Sequence, residues 1–393
     1  MTPNPNSENP ILTSRIKVLH IISGDLWAGA EVQAFTLITS LQHQCDITVA
    51  LMNYGELEQR LSLAGVEVIV MDECTLSGWQ ITKQLVMLIK RFHPDIIHTH
   101  RKKENILGSL ANILASKNPY HRTKSIRTAH GADEHKAGGI KKIINKLDTF
   151  CGTNLQDAII SVSKDLAAKL QNIFPNEKIH IIENGVNVAQ LRAAIPAADI
   201  RLNYKDYIHI GIIGRLEPVK RADLFIRAAH QMLVASATQA VKLKFHIIGD
   251  GKLKDELALL THQLGIQDEV VFHGHRSDSI QAIAALDMVV MCSDHEGTPM
   301  TALETLALER PLIAHDVGGL REILSEMPEL LVNEHTPAGY AEKILELIDN
   351  PRQVSLKDIY TNTWNATRTL RLYQQVLNKE MSGKLTETPQ KLT

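Results

Sequence analysis

With 393 residues, 44% hydrophobic and 22% charged, the chain is an ordinary soluble globular protein with ample core, long enough for two to three domains. A net charge of −2 gives no overall pull toward nucleic acid, and the four scattered cysteines (Cys45, Cys74, Cys151, Cys292) form no CxxC pair, which argues against a disulfide framework or a zinc site. No run approaches 18 consecutive apolar residues, so no membrane-spanning helix is expected.

The first 14 residues are polar and Pro/Asn-rich, without the basic-then-apolar layout of a signal peptide, and predict a disordered lead-in. Short β-branched apolar runs then alternate with helical patterns. In the first half they fall at 17–23, 46–52, 67–72, 95–100, 124–130, 158–163 and 179–185. In the second half they fall at 207–214, 242–249, 269–275, 288–293, 311–316 and, more weakly, 330–333. Near-continuous apolar strands separated by helices predict parallel sheets covered on both faces. The expected fold is α/β, with two doubly wound, Rossmann-like parallel-sheet domains facing across a cleft. The boundary is expected between Asn187 and Asp206, with an N-terminal domain over 15–190 and a C-terminal one over 191–363. A last helix at 364–379 has Trp364, Leu370 and Tyr373 to bury, and the tail 380–393 reads as flexible.

Doubly wound sheets bind ligands at the carboxyl ends of their strands, so the loops there carry the candidate chemistry. After the opening strand, residues 23–35 (SGDLWAGAEVQAF) place Gly24, Ala28 and Gly29 where backbone can approach a ligand, or simply form a Gly-rich turn. His130 ends a strand and is followed at once by Gly131. It can bond a hydroxyl or phosphate or be structural, and His98 and His100 compete for the same role.

Residues 101–150 hold eleven Lys/Arg against four Asp/Glu, a local +7. Within them 140–150 (IKKIINKLDTF) sets Ile140, Ile143, Ile144, Leu147 and Phe150 at helical spacing with lysines between. Two readings stand: an amphipathic helix packed on its own sheet, or, over 136–150, a surface that meets anionic lipid or a phosphorylated lipid acceptor.

In the second half, 211–228 (GIIGRLEPVKRADLFIRA) runs from strand through a tight turn at Gly214 into a helix. Arg215 and Lys220 there suit phosphate oxygens, or are two solvated basic residues. At 247–257 (IIGDGKLKDEL) Lys254 takes the third glycine position of a GxGxxG, so a plain strand–turn–helix competes with a nucleoside approaching Gly249 and Gly251.

The richest segment is 294–324 (DHEGTPMTALETLALERPLIAHDVGGLREIL), in which seven residues separate Glu296 from Glu304. Thr298 predicts an N-cap and Pro299 the first helical position, leaving the N–H groups of 297–301 for a ligand. Carboxylates accept from hydroxyls and a helix start attracts phosphates, a combination suited to a nucleotide-sugar. A capping box at Thr301-Ala-Leu-Glu304 is the structural alternative for Glu304. No DxD, HExxH or GxxxxGK[ST] occurs, so no metal centre and no ATPase loop is expected.

With GRLEPVK, IIGDGKLKDEL and EGTPMTALE followed by PLIAHDVGGLREIL in this order, the sequence resembles retaining glycosyltransferase family 4, of GT-B fold, over nearly its whole length. The resemblance implies that Glu296 contacts the donor sugar's hydroxyls and Glu304 the ribose. It implies that Arg215 and Lys220 hold the diphosphate as leaving group, that Gly29 lies near the phosphates and that His130 neighbours the transferred sugar. The donor set it implies also includes Gly214, Gly249, Gly297, Thr298, Met300 and Thr301. One departure is that Ala28–Gly29 stand where the family often has paired glycines.

The implied activity is metal-independent transfer, with retention and no cofactor, from a UDP- or GDP-linked sugar to a glycan or lipid-linked saccharide. Cell-envelope polysaccharide or lipopolysaccharide synthesis is the implied setting. The location expected is cytoplasmic, at most peripheral at the inner face of the membrane. A nucleotide-sugar epimerase of similar fold and a non-catalytic nucleotide-sugar-binding subunit are the alternatives.

Overall fold

The computed structural model describes residues 15–116, 122–131, 139–202, 204–236 and 241–382. The expected lead-in, most of the tail, and residues 136–138 of the basic segment lie outside these residues. Each of the thirteen apolar runs coincides with one strand, β1 and β2 starting one residue earlier than their runs. The first sheet comprises β1 (Ile16–Ile22), β2 (Cys45–Leu51), β3 (Glu67–Val70), β4 (Ile96–Thr99), β5 (Lys124–Ala129), β6 (Ala158–Ser161) and β7 (Ile179–Ile181), in the order β3-β2-β1-β4-β5-β6-β7. The second comprises β8 (Tyr207–Ile213), β9 (Lys242–Ile248), β10 (Val270–Gly274), β11 (Met288–Met291), β12 (Leu312–His315) and β13 (Leu331–Val332), ordered β10-β9-β8-β11-β12-β13.

Both sheets reverse winding direction in the middle, where β1 pairs in parallel with β4, and β8 with β11. These are the switch points at which doubly wound sheets accept ligands. The strands bury residues of both faces, as parallel strands covered by helices must. In the first sheet, Leu19, Ile21 and Ile97 pack with Leu85 and Ile89 in one cluster, while Ile22, Val49 and Leu51 pack with Ile38 and Leu61 in another.

By internal contacts the chain forms two compact units. One comprises residues 1–128, 136–159 and 370–393, and the other residues 129–135 and 160–369. Within the first unit the terminal helix is anchored by buried Tyr373, whose hydroxyl is hydrogen-bonded to His98 Nδ1 at 2.6 Å.

The basic amphipathic segment is where packing departs from expectation. The helix Ile140–Asn154 forms, but the reading that its apolar face packs on its own sheet is wrong. Ile143, Ile144, Leu147 and Phe150 are 59%, 39%, 47% and 57% exposed, whereas Asp148 and Cys151 are buried. Arg127 Nη1 donates to both oxygens of Asp148 at 2.8 Å, and Asn105 Nδ2 donates to one of them at 2.8 Å. A buried carboxylate needs such partners, and meeting that need turns the polar face inward. Among the described residues no helix is long and apolar enough to cross a membrane.

Candidate active site

The carboxyl ends of β8 and β11, neighbours at the second switch point, lead into the two loops that carry the predicted cation and carboxylate residues. After β8, Gly214 sits at φ +149, a conformation that side chains rarely adopt. Gly249, at the end of β9, sits at φ +143, and a Cβ there would lie 1.9 Å from the Gly214 carbonyl oxygen. The close approach that Gly249 permits is therefore to the backbone of Gly214, which draws the two strand ends together. Arg215 is exposed, and its side chain makes no hydrogen bond or ion pair among the described residues. Lys220 ends the short 3-10 turn Pro218–Lys220 and donates from Nζ to Glu296 Oε1 at 2.5 Å.

Glu296, 9% exposed, also accepts from Ser293 Oγ at 2.6 Å. Its loop is gripped from several directions. Asp294 N–H donates to the Val219 carbonyl at 2.9 Å, and Gly319 N–H donates to the Glu296 carbonyl at 3.2 Å. Gly318 is left-handed at φ +49, and its Cβ would lie 2.1 Å from the Glu296 carbonyl oxygen; that of Gly319 would lie 1.6 Å from the Gly297 carbonyl oxygen. Ser293 and the Gly318–Gly319 pair are site residues that sequence reasoning missed. The adjacent glycines in HDVGG were the available signal.

The helix that follows runs Met300–Ala307, one residue later than expected, with Pro299 as N-cap and no side-chain cap. Thr298 is not the cap. Its buried hydroxyl donates to the Val162 carbonyl at 2.6 Å, while Asn184 Nδ2 donates to the Thr298 carbonyl at 3.0 Å. Donating to Val162 points the hydroxyl away from the first turn of this helix, and the helix start is left without a side-chain cap. The alternative capping box from Thr301 does not form either, since Thr301 lies inside the helix.

Met300, the first residue of the helix, is 5% exposed, so its side chain belongs to the core. The Thr301 carbonyl accepts from Thr305 Oγ1 at 2.7 Å. Glu304 lies in the second turn, and its carboxyl makes no hydrogen bond among the described residues. Burial pushes its pKa up to about 7.

That shift carries a test. A carboxyl with a folded pKa of about 7, against a usual value of 4.5, binds more protons folded than unfolded between those pH values. Its ionisation therefore works against folding as pH rises from about 4.5 to about 7, and the penalty is constant above that. Glu304→Gln should raise the melting temperature of the ligand-free protein at pH 8 and raise it much less at pH 5. Thermal unfolding at the two pH values checks it, and equal shifts at both would remove Glu304 as the titrating group.

His130 follows β5, and its carbonyl oxygen would lie 2.9 Å from a Cβ placed on Gly297, so the two backbones touch within the second unit. Gly29 belongs to the first unit, where it starts the helix Gly29–Leu41 after Ala28. Glu31, in the first turn of that helix, is fully buried against Arg101, which also bonds Asp25 at 3.1 Å. His98 and His100 are buried together with His20, which β1–β4 pairing sets opposite His98. Ring nitrogens of these three lie within 4.8 Å of one another. Their bonds run inward, His20 Nδ1 to His100 Nε2 at 3.0 Å and His98 Nε2 to Thr128 Oγ1 at 2.7 Å, and burial drops the His20 pKa to about 3.

Two doubly wound parallel-sheet domains in one chain, with a cation–carboxylate pair at the switch point of the second, constitute the GT-B architecture. Residues 208–350 match the family described as Glycosyl transferases group 1, and residues 27–190 match Glycosyltransferase Family 4. The chain carries one domain of each kind and is a glycosyltransferase of the GT-B type.

It is 27% identical over 325 residues to an uncharacterized glycosyltransferase of Methanocaldococcus jannaschii, covering 74% of this chain and 77% of that one. Over 324 residues it is 27% identical to UDP-Gal:alpha-D-GlcNAc-diphosphoundecaprenol alpha-1,3-galactosyltransferase of Escherichia coli, covering 78% of this chain and 81% of that protein. Among solved structures, Anabaena HepE in complex with UDP-glucose matches with a TM-score of 0.74 at 18% identity, over 94% of this chain and 100% of that one, a likeness of fold alone.

Proposed function

We propose that this glycosyltransferase moves a sugar from a UDP- or GDP-linked donor to a glycan or lipid-linked saccharide acceptor, with retention and without a metal. The Lys220–Glu296 pair at the carboxyl end of β11 carries this reading. It sets a cation beside a carboxylate on a loop whose backbone is fixed by Gly318 and Gly319. The diphosphate leaves carrying growing negative charge. Lys220 and Arg215, with the uncapped amides of Met300 and Thr301, stabilise that charge, as preplaced donors do where charge develops.

Glu296 holds hydroxyls of the transferred sugar and Glu304 those of the ribose, with Gly297 and Thr298 shaping the loop between them. Gly214 and Gly249 keep side chains away from the strand ends where the nucleotide lies. His130, of the same unit, completes the donor set beside the sugar. Retention follows when the acceptor hydroxyl attacks from the face that the diphosphate leaves, with a donor oxygen accepting its proton. A uridine donor and a lipid-linked acceptor are favoured by the E. coli relative, whose name states UDP-Gal and a diphosphoundecaprenol-linked acceptor.

The test is incubation with radiolabelled UDP- and GDP-sugars and envelope lipid. Transfer of label from one of them, lost in Glu296→Ala, is expected. No transfer from any donor, full activity in Glu296→Ala, or an epimerised nucleotide-sugar made without acceptor would overturn it.

A further inference from the structure

The helix Ile140–Asn154 of the first unit is packed with its polar side inward and its apolar side outward. Ile143, Ile144, Leu147 and Phe150, at positions i, i+1, i+4 and i+7, share one face of an α-helix, and all four are exposed. The exposure is not a loose end of the fold. The opposite side is locked by the Arg127–Asp148 pair and by Lys102 Nζ donating to Asn145 Oδ1 at 3.0 Å, so the helix has no freedom to roll its apolar face inward. Lys142 and Lys146, one turn apart and both exposed, flank the apolar stripe. Together with Asn145 and Thr149 they line a shallow open groove whose side chains include two ammonium groups, an amide and a hydroxyl.

We infer that this face docks on the surface of an anionic phospholipid bilayer. The four apolar side chains enter the boundary between headgroups and acyl chains, and the lysine-lined groove takes a lipid phosphate. An apolar stripe edged by lysines is the arrangement that lies in an interface rather than crossing it. A second copy of the chain is a poorer occupant. A two-fold contact through this face would bring Lys142 and Lys146 against their own counterparts, in a segment that already carries an excess of positive charge. An anionic bilayer answers both the apolar stripe and the lysines at once.

The experiment uses the full chain and vesicles of phosphatidylcholine with and without phosphatidylglycerol. Sedimentation with the anionic vesicles, weakened by added salt, is expected, with little on phosphatidylcholine alone. Lys142→Glu/Lys146→Glu should lower the partition coefficient by about tenfold or more, from about 1 kcal/mol per basic residue near such a surface. Leu147→Ser/Phe150→Ser should lower it comparably through the lost apolar contact.

All four positions are exposed, so both double variants are expected to keep their fold and any thermal shift with UDP, which separates this inference from the donor-site reading. Absence of wild-type binding to anionic vesicles, or binding unchanged in Leu147→Ser/Phe150→Ser, would overturn it. So would light scattering that shows a dimer which this variant dissociates.

Discussion

Lys220→Ala should lower kcat by about 10²–10³-fold, the usual consequence of removing one preplaced donor from a site where charge develops. The loss should fall mainly on kcat measured at saturating donor, because a cation that strengthens its hold as the diphosphate departs acts more on the transition state than on the ground state. A purely structural explanation is available and can be separated. Lys220 Nζ lies 2.5 Å from Glu296 Oε1, and Glu296 is 9% exposed, so removing the cation leaves a buried carboxylate with Ser293 as its remaining side-chain partner. Breaking a buried pair from one side costs about 3–5 kcal/mol in full burial, and less here because Lys220 is partly exposed.

The double variant Lys220→Ala/Glu296→Gln removes that stranded charge. Its melting temperature should recover toward the wild-type value while kcat stays well below that of Glu296→Gln alone. A double variant as active as Glu296→Gln would assign Lys220 to holding the loop rather than to the chemistry.

The two sheets were legible because fully covered parallel strands read as near-continuous apolar runs, and each of the thirteen runs coincides with a strand. Arg215, Lys220, Glu296 and Glu304 were legible as a motif in order. Three features were not, each for a physical reason. Thr298 has the chemistry of a cap, but its hydroxyl donates to the carbonyl of Val162, 136 residues away, and that tertiary bond orients the side chain away from the local amides. The helix Ile140–Asn154 has a clear 3.6-residue pattern. Periodicity says that two faces exist and not which one meets the sheet, which here is decided by buried Arg127 and Asn105 reaching Asp148. The third is Gly318–Gly319, whose importance is a matter of distance: two consecutive glycines can serve a turn, a hinge or a close approach, and only the fold brings the 296–297 carbonyls over them.

That close approach yields the second large effect. Gly319→Ala would place a methyl group 1.6 Å from the Gly297 carbonyl oxygen, which belongs to backbone and not to the movable end of a side chain. The loop must move, and it is also tethered by the Gly319 amide to the Glu296 carbonyl and by Thr298 to Val162. Strain of this kind costs about 1–3 kcal/mol or more, so the melting temperature should fall. Because the displaced residues include Glu296, kcat/KM should drop by about 10²-fold, the scale of a misplacement of an ångström at a reacting centre. Gly265→Ala is the control. Gly265 sits at φ +70 in the same unit with nothing within 4 Å of its would-be Cβ. It should lose stability by about 1–2 kcal/mol from the left-handed backbone alone and keep its kcat/KM. If Gly319→Ala retains activity at a temperature where it is folded, Glu296 does not depend on this clamp for its position, and the donor loop is held by Thr298 and Ser293 instead.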